Sequence, residues 1–159
     1  GRGVLVNMAK YFDIVTMEGG QGITRKNIQE AAKEQNINFK KGDIILFHTG
    51  WTDAKLKSSP EEWGSTIPGI TNDAAVYLAS LQPMAVGADT WGLGAVPPIA
   101  GDMVYYDHVT LIKENGIYIL ETMNTGKLAS DNVSEFMFVL GQPKIKGAVQ
   151  MIINPVALW

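Results

Sequence analysis

Two side chains in the second half of the chain, His108 and Glu121, are of types that bind metal ions, and each lies at the end of a predicted regular element. Asp107 is a favourable N-cap residue, which predicts that His108 lies in the first turn of a helix. The partial positive charge at a helix N-terminus disfavours imidazolium. We therefore expect a neutral His108, the form that binds metal ions.

The segment after this helix positions Glu121. Gly116 is the expected residue just past the helix end, where a positive φ costs little without a Cβ. The following run, Ile117 to Leu120, is apolar and rich in β-favouring residues, which predicts a strand covered on both faces. Glu121 ends this run and would be costly to bury alone. His108 and Glu121 are thirteen positions apart, which matches no local metal motif, so a surface histidine and a strand-end glutamate remain the alternative here.

Composition narrows the classes of function. The chain has 159 residues, of which 46% are hydrophobic and 18% are charged. This length and composition predict one folded domain over residues 1–159. A net charge of −3 without a basic run argues against nucleic acid, and no apolar stretch is long enough for a bilayer. The sequence has no cysteine, which excludes disulfides and thiolate metal ligands, so any metal ion would be bound by His, Asp or Glu. The lack of disulfides is also typical of a cytoplasmic protein, which is the location we expect.

Predicted helices and strands alternate along most of the chain. Thr24 is expected to cap a helix that continues to about Gln35, and buried strands are predicted at 44–49 and 84–88. Pro68-Gly69 has the composition of a turn. Later strands are predicted at 135–140 and 149–153, with connections short enough for an antiparallel portion. The sequence therefore predicts an α/β domain with a mixed sheet and flanking helices.

Other candidate positions have competing interpretations. His48 lies near a strand end, where α/β proteins often place chemistry, but a hydrogen-bonded core histidine is favoured. The glycine cluster at 18–22 precedes a helix, yet it lacks the Gly-Lys-Ser/Thr ending of a phosphate loop, so a plain turn is favoured over nucleotide binding. The Gly- and Pro-rich loop at 91–101 fits a substrate-pocket lining and a structural Ω-loop about equally.

An ordered series of segments covers essentially the whole chain and resembles the cyclase family of metal-dependent hydrolases, which includes arylformamidases (kynurenine formamidases) and isatin hydrolases. The matching segments are Gly-Arg-Gly-Val-Leu at 1–5, Gly-Asp-Ile-Ile-Leu at 42–46, Thr-Gly-Trp at 49–51, Pro-Gly-Ile at 68–70, Val-Gly-Ala-Asp-Thr-Trp at 86–91, Gly-Ile-Tyr-Ile-Leu-Glu at 116–121, Met-Asn at 123–124, Glu-Phe-Met-Phe-Val-Leu at 135–140, Lys-Ile-Lys-Gly-Ala at 144–148 and Asn-Pro-Val-Ala at 154–157.

The resemblance implies a swivelling β/β/α-like fold and a metal-dependent hydrolase. It implies that His108 and Glu121 ligate a divalent metal, zinc or manganese, and that the substrate is a small, aromatic amide or lactam. Trp51 and Trp91 are candidates for aromatic walls of the substrate pocket, and Thr122 for a contact to water or substrate. The family also suggests a homo-oligomer.

Two departures from the family pattern accompany the resemblance. The His-x-Gly-Thr-His-x-Asp segment that supplies further metal ligands and the proton-transferring histidine is missing from this sequence. We therefore expect the chain to be the C-terminal part of a longer domain, with its catalytic residues on a preceding segment. Asn7 stands where many relatives have Asp. The alternative is a truncated, non-catalytic family member that binds a small ligand or supports assembly.

Overall fold

A mixed six-stranded sheet forms the centre of the protein, and the computed structural model describes all of residues 1–159. The strands lie in the order β6-β5-β3-β1-β7-β8. The first four of these are parallel to one another, whereas β7 pairs antiparallel with β1 and β8. The strands of this sheet are β1 (Arg2–Asn7), β3 (Ile44–His48), β5 (Ala85–Ala88), β6 (Tyr118–Leu120), β7 (Glu135–Val139) and β8 (Val156–Leu158).

The remaining elements comprise a two-stranded parallel ribbon and seven helices. The ribbon consists of β2 (Gly22–Ile23) and β4 (Gly69–Ile70). The helices are α1 (Met8–Tyr11), α2 (Arg25–Glu34), α3 (Trp51–Lys55), α4 (Pro60–Ser65), α5 (Asn72–Ser80), α6 (Tyr106–His108), which continues as a π-helical segment (Val109–Glu114), and α7 (Gly126–Ser130). No helix combines the length and the apolar character needed to span a bilayer.

Strand alternation divides the apolar residues between the two faces of the sheet. On one face, Val6 and Phe47 join a core of 21 buried residues that includes side chains of α2 and α5. On the other face, Leu46, Phe136 and their neighbours form a second core of nine buried residues beneath α7. All five residues of β3 are buried, which confirms the prediction of a strand covered on both faces.

The start of α2 follows the predicted capping pattern. The Thr24 hydroxyl accepts a hydrogen bond from the Asn27 backbone N–H at 3.2 Å, and the Asn27 side chain accepts one from the Thr24 N–H at 2.9 Å. This reciprocal pair satisfies two backbone donors that a helix N-terminus leaves free. The glycine cluster before this helix is a turn, as favoured from the sequence, because the Gly20 N–H donates to the Ile67 carbonyl and is not available to a phosphate.

Three details differ from the sequence predictions. The strand β6 lies at the sheet edge, so Tyr118 is 57% exposed and the strand is not covered on both faces. Gly69 lies in strand β4 rather than in a turn. The predicted strand at 149–153 is absent, and β8 instead follows Pro155. The physical reason is that β1 and β8 occupy both sides of β7, so that apolar run cannot pair with β7.

Candidate metal-binding site

The carboxyl ends of four parallel strands lie along one edge of the sheet. This edge brings together the ends of β1, β3, β5 and β6 with Asn7, His48, Asp89 and Glu121 at or just after them. In open α/β sheets, ligands bind beyond the carboxyl ends of the strands. Asn7 does not extend the polar site, since its side-chain oxygen accepts the Lys10 backbone N–H at 2.9 Å and caps α1.

His108 and Glu121 meet at this edge although they belong to different elements. The His108 Nε2 atom lies 3.3 Å from the Glu121 Oε1 atom, and each side chain keeps a little under a third of its surface exposed. The π-helical segment and Gly116, with φ of 65°, return the chain from His108 into β6, which ends just before Glu121. The predicted positive φ at Gly116 and the predicted position of His108 in the first helical turn are both confirmed.

Asp107 has a different role from the predicted N-cap. The helix begins at Tyr106, after Tyr105 in the left-handed conformation with φ of 59°, and no side chain caps it. Asp107 is buried, and its Oδ2 atom lies 3.1 Å from the His108 Nδ1 atom. The carboxylate therefore contacts the imidazole ring rather than free backbone N–H groups.

The charge of His108 also differs from the expectation. Its hydrogen bond to Asp107, followed by that to Glu121, raises the pKa of His108 to about 10, although partial burial acts in the opposite direction. The predicted neutral imidazole is therefore wrong for this arrangement, because two carboxylates outweigh the helix N-terminus. A proton and a metal ion compete for the same nitrogen lone pair, so metal binding would release this proton.

A narrow cleft opens beside His108 and is called here the His108 cleft. One side is formed by the loop that begins at Trp91 and the other by Tyr105 and Asp107. The Tyr105 ring lies edge-to-face on the His108 imidazole, with 5.6 Å between ring centroids. The Trp91 indole N–H donates to the Trp63 carbonyl at 2.6 Å, which fixes the ring in the cleft wall. Residues 91–96, 98 and 99 of this loop line the cleft, and their role in binding a substrate stays a prediction.

The other two pocket candidates lie elsewhere. Trp51 is 1% exposed in α3 and does not line the His108 cleft. Thr122 has φ of 53°, and together with Glu121 it lines a second cleft on the side of Phe136 and Phe138. His108 and Glu121 thus lie between two clefts. Sequence reasoning missed the contact of Tyr105 and Asp107 with His108, for which the only sequence signal was that Asp107 directly precedes it.

A second polar cluster lies buried at the same sheet edge. The His48 Nδ1 atom lies 2.8 Å from the Thr125 hydroxyl and 3.9 Å from the Asp89 Oδ2 atom. The Asp89 Oδ1 atom accepts both the N–H and the hydroxyl of Thr49, each at 2.8 Å. Burial raises the pKa of Asp89, against the opposing effects of His48 and Thr49. His48 is the hydrogen-bonded core histidine favoured from the sequence.

The donor set at His108 and Glu121 fits part of a metal site. A nitrogen and an oxygen that both lie about 2.0–2.2 Å from one ion are separated by about 3.3–3.6 Å at a near-tetrahedral angle. The observed separation of Nε2 and Oε1 is 3.3 Å. No group of three or more His, Asp or Glu residues in the chain could hold a metal ion. Catalytic zinc sites commonly have three protein ligands, so this pair alone does not make up such a set.

A protein-family model matches more than half of the chain. The Cyclase family model, described as "Putative cyclase", matches residues 1–95. The chain belongs to the Cyclase family. No curated protein sequence matches it. The match ends before His108 and Glu121, so the family assignment does not depend on these two residues.

Solved structures of cyclase-like proteins share the fold over nearly the whole chain. A crystal structure of a novel cyclase has 27% sequence identity to this chain and a TM-score of 0.86, and the match covers 100% of this chain and 53% of the cyclase chain. An isatin hydrolase bound to the product analogue thioisatinate has 20% identity and a TM-score of 0.76, covering 99% and 59%. A predicted metal-dependent hydrolase from Bacillus stearothermophilus has 21% identity and a TM-score of 0.65, covering 93% and 58%. The chain thus spans little more than half the length of these proteins.

Proposed function

We propose that this cyclase-family chain contributes two metal ligands and the substrate pocket of a hydrolase that cleaves an amide or lactam bond in a small aromatic substrate. The observation that carries the proposal is the 3.3 Å approach of His108 Nε2 to Glu121 Oε1 beside the His108 cleft. The structural similarity to an isatin hydrolase and to a metal-dependent hydrolase supports it.

His108 and Glu121 would hold a divalent ion, zinc or manganese, at the carboxyl edge of the sheet. Both metals accept imidazole and carboxylate ligands. When bound, the ion activates water as a nucleophile and polarises the substrate carbonyl. The remaining ligands and the proton-transferring histidine would come from an accompanying N-terminal segment of the same protein, in agreement with the two-ligand geometry of this chain.

The His108 cleft favours a neutral, apolar substrate. Its lining is mostly apolar or aromatic, and the charged side chains in it besides His108 are the carboxylates of Asp102 and Asp107. No Lys or Arg lines the cleft. An anionic substrate would therefore be repelled, whereas an aromatic ring could pack against Trp91 and Tyr105 and present its carbonyl to the edge between His108 and Glu121.

The test is a hydrolysis assay, with zinc or manganese, of this chain together with the accompanying N-terminal segment, using N-formylaniline as an aryl amide and isatin as a lactam. Either substrate should be turned over by the wild type and not by His108→Ala. The matched control Lys26→Ala removes an exposed side chain far along the sequence from the site and should leave turnover unchanged. Equal turnover by His108→Ala would contradict the proposal.

A non-catalytic role is the second candidate, because no group of three potential ligands is present. In that case the chain would bind a small apolar molecule in the His108 cleft, or support assembly, without turnover. Metal-independent binding of isatin or N-formylaniline, weakened by Trp91→Ala and accompanied by no hydrolysis of either compound, would favour this role over the enzyme.

A further inference from the structure

Both nitrogens of the His108 ring have carboxylate neighbours. The Nε2 atom lies 3.3 Å from Glu121 Oε1, and the Nδ1 atom lies 3.1 Å from Asp107 Oδ2. The two carboxylates differ in exposure, since the Asp107 side chain is 5% exposed and that of Glu121 is 28% exposed. Glu121 is accessible to an incoming ion, whereas Asp107 lies behind the ring.

The burial of Asp107 is built into the fold. Its carboxylate lies against Gly94 in the loop on the opposite side of the cleft, where a Cβ atom would come within 3.2 Å of Asp107 Oδ1. The hydrogen bond of the carboxylate is made to His108. A buried carboxylate is costly unless it has a partner, so the structure keeps Asp107 in place through its contact with the imidazole.

We infer that Asp107 is a positioning residue that fixes the ring of His108 for metal binding through Nε2. This inference rests on the proposed metal site. A neutral imidazole has one N–H and one lone pair on different nitrogens. In the neutral ring that binds a metal ion, the Asp107 carboxylate accepts the N–H at Nδ1, which leaves the lone pair on Nε2, the nitrogen that faces Glu121. Carboxylate–histidine–metal arrangements orient the ring and make the ligating nitrogen more basic.

A purely structural Asp107 predicts different behaviour. If the carboxylate only fills space beside Gly94, the isosteric Asp107→Asn should leave metal affinity unchanged. As a positioning residue, Asp107→Asn should weaken metal affinity by about 10-fold and Asp107→Ala by up to about 100-fold, the range seen when such carboxylates are removed. The graded loss follows because the carboxamide keeps an acceptor oxygen but not the charge, whereas alanine keeps neither.

The experiment is a zinc titration of the full 159-residue chain followed by NMR of the histidine ring signals. The chain has two histidines, so His108→Ala assigns the His108 signals and provides the no-site reference. The ring ¹³Cδ2 shift distinguishes ligation through Nε2 from ligation through Nδ1. Asp131→Asn removes one carboxylate that bonds Lys127 and serves as the charge-matched control. Circular dichroism melting of each variant separates loss of metal affinity from loss of folding.

The expected result is Nε2 ligation in the wild type and in Asp131→Asn, with affinity about 10-fold lower in Asp107→Asn and a fraction of Nδ1 ligation in Asp107→Ala. Wild-type affinity and Nε2 ligation in both folded Asp107 variants would overturn the inference while leaving the metal site intact. No zinc-dependent change of the His108 signals in the wild type would overturn the proposed metal site, and this inference with it.

Discussion

Replacing Asp89 tests which hydrogen bonds stabilise the carboxyl ends of β3 and β5, next to the candidate site. The Asp89 Oδ1 atom accepts two hydrogen bonds from Thr49, the N–H and the hydroxyl, each at 2.8 Å, and both residues are buried. Asp89→Ala leaves both donors without a partner. An unsatisfied buried donor costs about 1–3 kcal/mol, so for two donors we expect a loss of about 2–6 kcal/mol in the free energy of unfolding. Asp89→Asn keeps the acceptor oxygen and should cost about 1 kcal/mol or less at neutral pH.

The same residue predicts a pH dependence of stability. Burial raises the pKa of Asp89 in the folded protein, so folding favours its protonated form. The corresponding contribution to stability is fully present below the unfolded pKa of about 3.9 and is lost as the pH rises through the folded pKa. Asparagine does not titrate. The stability of the wild type relative to Asp89→Asn should therefore decrease as the pH is raised above about 4.

The assay is urea unfolding followed by tryptophan fluorescence at several pH values from acidic to neutral. Asp131→Asn is the control of opposite sign, because the hydrogen bond from Lys127 lowers the pKa of Asp131. There, the stability of the wild type relative to the variant should increase as the pH rises. Equal costs for Asp89→Ala and Asp89→Asn would refute the role of Oδ1 as an acceptor. A wild-type advantage over Asp89→Asn that grows with pH would refute the assigned direction of the pKa.

Two further changes test an ion-pair network at the start of β1 and the packing of the loop that lines the His108 cleft. Arg2→Ala removes a guanidinium that bonds Glu135 through two nitrogens and the buried Asp43 at 2.7 Å, so urea unfolding should show a loss of about 2–3 kcal/mol. Arg2→Lys should restore less than half of the lost stability, because lysine lacks the two-pronged geometry with which the guanidinium binds a carboxylate. Gly69→Ala places a Cβ 2.4 Å from the backbone of the loop lining the His108 cleft, and should weaken ligand binding there and cost about 1–3 kcal/mol. Gly64→Ala is the control, because a Cβ there would have no atom within 4 Å, and it should change neither ligand binding nor stability. Similar effects at both glycines would contradict the packing argument.

Local sequence patterns predicted much of the fold because propensity and packing agree there. The buried run of β3 has no polar side chain before His48, and tertiary structure leaves it central and covered. Thr24 and Asn27 form the helix start that the sequence pattern indicates. The pairing of His108 with Glu121 was expected from the helix-then-strand order and the family resemblance, and the structure brings the two side chains together. Their role as metal ligands stays a prediction.

The errors arise where long-range contacts decide the structure. The Asp107 side chain was predicted to bond the backbone of its own helix, but the loop at Gly94 and the neighbouring imidazole offer it a buried position instead. His108 was predicted to be neutral from the helix dipole alone, whereas Glu121 approaches from another element. The run at 149–153 has β-favouring side chains, yet Val149 and Ile152 are almost fully exposed because β8 occupies the free edge of β7.

The central claim is that His108 and Glu121 bind one divalent metal ion between them. Crystals of the chain grown with zinc and measured at the zinc absorption edge test it most directly. We expect an anomalous peak within about 2.0–2.2 Å of both His108 Nε2 and Glu121 Oε1, and its loss in Glu121→Ala. Well-diffracting crystals with zinc bound elsewhere, or with no anomalous peak between these two side chains, would contradict the account.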